Sequence, residues 1–468
     1  MLFNSLRFLL IFPLIFGIHW AIPARYNQWR KVFLILASYL LYMNWKPAYA
    51  FVLLGVTLIT FWGGCLFDNA NWDKRKRIVW PIAFLGLLPL LVFKYYNFLN
   101  DSLSAGLATI GAKFALPGLN WAVPVGISFF TFQAVGYMLD VYHGRTKAEK
   151  SFIDYLLFVS FFPQIASGPI SKADELLPQI KKERTFDYYQ AVSGLKYLLW
   201  GMFLKVVIAD RAGIYVDTVF GAYEKFSGLG CIMASFLYSI QIYTDFAGYS
   251  LMAVGIGKIL GFNLINNFRR PYFAATVTEF WKRWHISLTR WLTQQVYIPL
   301  GGSRCSKARN YWNILVTFLV SGIWHGANWT FIIWGILHGI CQIIEKAFGW
   351  NKKEYRGIVR LARVLLTFII VTLAWTIFRS PSIADTFAYF SRFASNTGEL
   401  IAQGSTLTYA IIGIIPLLLY ELMAEFFPVT YDKIFKKQWL RWCAYLAVFT
   451  MIMLTGVFDG SSFIYVSF

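Results

Sequence analysis

Apolar stretches long enough, or nearly long enough, to cross a bilayer follow one another along the whole of this 468-residue chain. They lie near residues 5–23, 31–44, 48–67, 78–99, 119–140, 152–168, 192–219, 228–250, 311–324, 327–347, 361–378, 407–427 and 439–458. A helix needs about 20 mainly apolar residues to span the hydrocarbon layer, where the backbone must satisfy its own hydrogen bonds. The expectation is therefore an all-α polytopic membrane protein with roughly ten to twelve true spans. Two segments are interrupted. Residues 31–67 read as two tilted helices around "NWKPAY", and 152–170, with Pro163, Gly168 and Pro169, reads as a piece that enters and turns back without crossing.

The composition agrees: 58% of residues are hydrophobic and 14% charged, outside the range of soluble domains. The net charge of +20 is spread in short basic bursts between apolar runs. That pattern argues for the cytoplasmic loops of a multi-pass cell-membrane protein and against a nucleic-acid surface. "RYNQWRK" at 25–31, "DKRKR" at 73–77 and "HGRTKAEK" at 143–150 follow the first, third and fifth spans, which puts the N-terminus outside. The first apolar run resembles a signal-peptide core but reads as a retained helix, because many spans follow it. Cys65, Cys231, Cys305, Cys341 and Cys443 are scattered singly, a pattern of neither a disulfide framework nor a metal site. With no linker and no repeat, one membrane-embedded domain over 1–468 is the economical organisation.

Residues 266–311 are too polar to span yet rich in Trp, Tyr and Phe. Thr278 and Glu279 read as a helix start, and Trp281, Trp284, Leu288 and Trp291 recur at helical spacing among Lys282, Arg283 and Arg290. This predicts one helix lying in the membrane interface, with His285 on it.

Histidine in an apolar span is costly, since both ring nitrogens need partners. His19 and His143 read as interfacial and loop residues. His325 lies between Trp324 and Gly326, with Gly322 and Asn328 three residues away on either side. Two readings stand: a helix break satisfied by one hydrogen bond, or a functional imidazole that the glycines let a backbone or ligand approach. His338 would lie about 220° around and roughly 20 Å along a continuous helix from His325, so packing or a supporting hydrogen bond is its expected part. Asp210 is expected to pair with Lys205 or Arg211. Asp245 has no basic neighbour within a turn and reads as a polar clamp with a distant partner. The sequence has no G-x-S-x-G elbow, no phosphate loop and no H-E-x-x-H. A histidine without a protein nucleophile or metal suits a general base that takes a proton from an incoming hydroxyl.

Five blocks carry a resemblance: "PVGISFFTFQAVGYMLDVYHG", "FPQIASGPISKADELLPQI", "YTDFAGYSLMAVGIGKILGF", "NFRRPYFAATVTEFWKRWHISLTRWLTQQVYIPLGG" and "SGIWHGANWTFIIWGILHG". In order and spacing they resemble the membrane-bound O-acyltransferase family, and most of all its bacterial polysaccharide branch, which includes alginate acetylation. The resemblance implies a ring of tilted helices around a central funnel or tunnel, entered from the cytoplasm by an acyl-CoA donor. It implies that His325 is catalytic and that His285 is a second polar residue of the reaction. Trp281, Arg283, Trp324, Asn328 and Asp245 are the candidate substrate-contacting residues, and basic groups near Arg283 are expected to meet the phosphates of acetyl-CoA. The resemblance also implies transfer to a hydroxyl of an exported or cell-envelope polysaccharide, through an extracytoplasmic partner with a Ser-His-Asp site of the SGNH type. No bound cofactor or metal is expected. A transporter or flippase would account for the apolar mass but not for the R-W-H and W-H-G blocks together.

Overall fold

The computed structural model describes residues 3–112, 116–402 and 404–458. The fold is helical: among the described residues the one β feature is an isolated bridge between Phe226 and Glu399. The helices are α1 (Leu6–Ala21), α2 (Asn27–Met43), α3 (Tyr49–Asn69), α4 (Trp72–Leu90), α5 (Tyr96–Ala108), α6 (Ile127–Tyr142), α7 (Phe152–Ser160), α8 (Phe162–Ile165), α9 (Ala173–Lys181), α10 (Tyr188–Met202) and α11 (Asp210–Gly221). They continue as α12 (Gly228–Ile259), α13 (Val277–Arg283), α14 (Ile286–Leu292), α15 (Lys307–His325), α16 (Trp329–Ala347), α17 (Gly357–Arg379), α18 (Ile383–Arg392), α19 (Gly404–Phe426), α20 (Pro428–Lys436) and α21 (Gln438–Thr455).

Two compact units share the chain, Met1–Leu195 with Ala253–Ile265 and Lys196–Met252 with Asn266–Phe468. No linker composition marks the three cuts, two of which fall inside α10 and α12 and the third between Ile265 and Asn266 after α12. In the first unit α3 packs on α4 and α6, and α2 packs on α7. A buried ion pair between Lys31 Nζ and Asp154 Oδ1 at 2.6 Å ties α2 to α7, and the Tyr155 hydroxyl reaches Thr60 Oγ1 at 2.8 Å to tie α7 to α3. In the second unit α15 and α16 form a hairpin, α13 and α17 lie on α16, and α11 packs on α19.

The chain is a multi-pass membrane protein. By length and composition, five helical stretches among the described residues suffice to cross a bilayer: Tyr49–Asn69, Trp72–Ala108, Tyr188–Gly221, Gly357–Arg379 and Gly404–Phe426. A sixth arises if α1 and α2, bent by 105° at their junction, count as one broken span. Their outer faces carry exposed aliphatic side chains, such as Leu365 and Ile369 on α17 and Ile415 and Leu419 on α19, which lipid and not water would solvate. The number is below the ten to twelve expected from hydropathy. Several apolar segments fold into helices too short to cross, such as the 16-residue α6, or carry polar residues, as α15 does with Lys307, Arg309, Asn310 and Asn313. The interrupted segment at 152–170 does break, at Phe161, into α7 and the four-residue α8, neither of which spans.

Candidate active site

The W-H-G block is where α15 ends. His325 is its last residue, Gly326 is extended, and Asn328 caps α16 by accepting from the Thr330 amide at 3.1 Å. The hairpin closes tightly because glycines meet face to face. A Cβ on Gly322 would lie 2.3 Å from the Phe331 carbonyl oxygen, and one on Gly335 would lie 2.4 Å from that of Phe318. These glycines therefore admit a neighbouring backbone, one of the two approaches the sequence allows. The turn leaves His325 1% exposed among aromatic rings. Its ring centroid lies 4.8 Å from Trp324, 4.9 Å from Trp334 and 5.3 Å from Phe378, each contact edge-on.

The same turn corrects the geometry expected for His338. The chain from 325 to 338 is not one helix, and the His338 ring lies 4.9 Å from Trp334, the indole that also borders His325. His338 Nδ1 accepts from Trp281 Nε1 at 3.3 Å, so the neutral imidazole carries its proton on Nε2. Packing and a supporting hydrogen bond are what it makes.

The aromatic segment at 277–292 is also not one helix. Thr276, not Thr278, caps α13, accepting from the Glu279 amide at 3.0 Å. The carboxylate of Glu345 on α16 accepts from the amides of Val277 and Thr278 at 2.5 and 2.8 Å, which fixes the start of α13 against α16. The helix breaks at Trp284, and His285 takes a left-handed backbone conformation with φ 42°. A side chain with a Cβ rarely adopts that region without surrounding structure to impose it. Asn267 does so here: its carbonyl accepts from the Ile286 amide at 2.9 Å and its Oδ1 from the Ser287 amide at 3.1 Å. The break turns Trp281, Trp284 and Leu288, along with Phe280, into the protein interior and leaves Trp291 half-buried, so most of the face that suggested an interfacial helix is a core face. His285 is fully buried, 4.7 Å from the Phe246 ring and 5.7 Å from Trp324. Burial brings its imidazole down to about 3, so it is neutral at physiological pH.

Asp245 finds its distant partner in Lys205. Lys205 Nζ lies 2.6 Å from Asp245 Oδ1 and 2.7 Å from Asp210 Oδ1, with all three side chains buried. The α10 and α12 backbones cross closely here, since a Cβ on Gly201 would sit 2.6 Å from the Gly248 carbonyl oxygen. Arg283 is likewise engaged: its Nη2 bonds Glu279 Oε1 at 2.6 Å and Glu425 Oε1 at 2.9 Å. Arg270 and Arg360 also reach Glu425, at 2.8 and 3.1 Å, giving three guanidiniums against two carboxylates. Besides capping α16, Asn328 donates from Nδ2 to the Pro381 carbonyl at 2.7 Å.

Of the residues singled out in the sequence, the fold gathers His285, Trp324, His325, Trp281 and His338 around a shared set of indoles. Asp245 and Asn328 are bound into structural contacts. Sequence reasoning missed Trp334, which borders two histidines, and Asn267, Glu345 and Glu425, whose partners lie 19 to 155 positions away. Trp334 lay within a quoted block. The others gave no local signal. Among the described residues no group of three His, Cys, Asp or Glu is placed to hold a metal ion.

The chain is 38% identical over 388 residues to a probable alginate O-acetylase of Pseudomonas syringae, covering 82% of this chain and 73% of that one. It is 36% identical over 405 residues to a probable alginate O-acetylase of Pseudomonas aeruginosa, covering 86% and 76%. It is also 34% identical over 381 residues to a peptidoglycan O-acetyltransferase of Helicobacter pylori, covering 75% and 71%. The profile of the membrane-bound O-acyltransferase family matches residues 145–380, the stretch that contains both buried histidines of the R-W-H and W-H-G blocks and the indoles around them. With that match and those relatives, this chain belongs to the membrane-bound O-acyltransferase family.

Proposed function

We propose that this protein moves an acetyl group from cytoplasmic acetyl-CoA to a hydroxyl of a cell-envelope or exported polysaccharide of the alginate kind. The carrying observation is that His325 and His285 approach one indole, Trp324, inside an aromatic enclosure. In this reading His325 takes the proton from the acceptor hydroxyl as its oxygen attacks the thioester carbonyl. The C–O bond forms, the C–S bond breaks, and the proton passes from His325 to the departing thiolate. His285, neutral at working pH, orients the donor or polarises its carbonyl. The rings around His325 limit water and with it the hydrolysis of the thioester.

Trp281 and Arg283 belong to the donor side in this reading. The excess of guanidinium over carboxylate around Glu425 supports attraction of the coenzyme phosphates. Asn328 and Asp245 act through position, the first by fixing the turn after His325 and the second by anchoring α12, whose Phe246 borders His285. In this reading the hydroxyl that attacks at His325 is the serine of an extracytoplasmic partner with a Ser-His-Asp site of the SGNH type, and that acetyl-serine ester then passes its acetyl group to the glycan hydroxyl, whose proton returns to the serine oxygen. Relatives act, by their names, on alginate and on peptidoglycan, and both acceptors present free hydroxyls. The test is a host lacking this chain, complemented by wild type or by His325→Ala at equal membrane abundance. The variant should export glycan without O-acetyl groups; normal acetylation in that strain refutes the role given to His325.

A further inference from the structure

Residues of α1, α2, α7 and α9, with Lys182 and Arg184 just after α9, line a shallow pocket that opens to solvent. Its lining holds an unusual set of charges. Arg30 is buried, and its Nε and Nη1 donate to the carbonyls of Ile22 and Arg184 at 2.7 and 2.6 Å. Arg184 lies with its guanidinium carbon 3.7 Å from the Phe262 ring centroid, and its buried Nη1 has no hydrogen-bond partner among the described residues. Lys182 stands exposed at the rim. Lys31, also in the lining, is neutralised by Asp154 at 2.6 Å. Among the described residues Arg30, Arg184 and Lys182 form no ion pair. Burial, and then the charge of Arg30 beside it, bring Arg184 down to about 10.

A buried guanidinium beside a half-buried one, with no counter-charge, is costly, and a bound anion relieves the cost. Guanidinium geometry suits a phosphate, which accepts two hydrogen bonds from one fork. The surroundings favour a lipid source. Tyr26, Trp29, Phe186, Tyr188 and Tyr189 are exposed on the same unit, the type of aromatic fringe that settles at headgroup level. The basic stretch at 25–31 is the side that the charge bias assigns to the cytoplasm, where anionic lipids supply negative charge.

We infer that this pocket, built from Arg30, Arg184 and Lys182, binds a phosphate group, supplied by the headgroup of an anionic phospholipid at the cytoplasmic face. One or two phosphate oxygens reach the Arg184 Nη1 at the mouth, and the rest of the headgroup stays outside beside Lys182. The inference stands apart from the acyl-transfer reading, and its test does not use that activity.

The experiment is native mass spectrometry and thermal unfolding of the delipidated full chain in detergent, titrated with phosphatidylglycerol or phosphatidylcholine. Parallel arms use inorganic phosphate and coenzyme A. Phosphatidylglycerol should bind and stabilise in preference to phosphatidylcholine. Arg184→Gln should weaken that preference by about tenfold, Lys182→Gln by about threefold, and Arg184→Lys should retain most of it. Lys182 is exposed, so its variant keeps the test valid if the Arg184 variant does not fold. If inorganic phosphate or coenzyme A binds with the same dependence on these residues and the lipid does not, the phosphate site stands with a soluble source. Equal behaviour of the two lipids with no effect of either soluble phosphate, or an unchanged preference in Lys182→Gln together with a folded Arg184→Gln, overturns it.

Discussion

Two buried polar regions of the second unit meet the cost of burial in different ways. At Lys205, one ammonium lies within 2.7 Å of two carboxylates, so buried charges of opposite sign meet inside the protein. At His325, aromatic rings stand edge-on to the imidazole, and one of them, Trp324, also borders His285. Opposite charges at contact distance tie helices together, and removing one leaves the other stranded. A wall of rings fixes the orientation of an imidazole. In the proposed reading the difference separates a region whose loss harms folding from one whose loss harms reaction.

The sharpest way to break this comparison is a pair of variants read in two assays. His325→Ala should lower acetyl transfer by about a hundred- to ten-thousandfold, the range of a lost general base, with a melting temperature close to wild type. Lys205→Met should do the reverse first, costing about 3–5 kcal/mol in unfolding free energy, since the two buried carboxylates lose the one ammonium between them. If His325→Ala unfolds the protein and Lys205→Met leaves its stability unchanged, the contrast fails.

A smaller effect is expected from pH. The His285 imidazole titrates near 3 when folded and near 6.5 when unfolded. Between those values the unfolded chain binds a proton that the folded one does not. Stability therefore rises with pH through that window and is fully regained above about pH 6.5. Denaturation of wild type and His285→Gln followed from pH 7 to pH 4 should show a shallower acid loss in the variant; parallel curves would contradict the burial of a neutral ring. The smallest effect belongs to the supporting bond: Trp281→Phe removes the donor to His338 Nδ1 and should cost about 1 kcal/mol. No change in unfolding free energy there would mean that His338 needs no support.

The membrane class, the family blocks and the two histidines could be read from the chain because each rests on local pattern. Apolar runs, and R-W-H and W-H-G, are contiguous. What could not be read depends on where the chain turns or what lies far away. The spacing of Trp281, Trp284, Leu288 and Trp291 runs straight through a break imposed by Asn267, because helical periodicity does not register a single left-handed residue. The distance assigned between His325 and His338 assumed helix where residues 326–328 turn. The pairing of Asp245 with Lys205, 40 positions earlier, needed the crossing of α10 and α12, and that of Arg283 with Glu425 needed a helix 142 positions later. Net charge also hid a distinction, since some arginines are tied to carboxylates and others, like Arg30, line a pocket without one.

The most direct test of the central role given to His325 uses purified protein in detergent with acetyl-labelled coenzyme A, following free thiol and label together. Wild type should release thiol at a rate that His325→Ala, folded to the same melting temperature, loses. Equal thiol release by the two proteins, or none by active wild type, would contradict it.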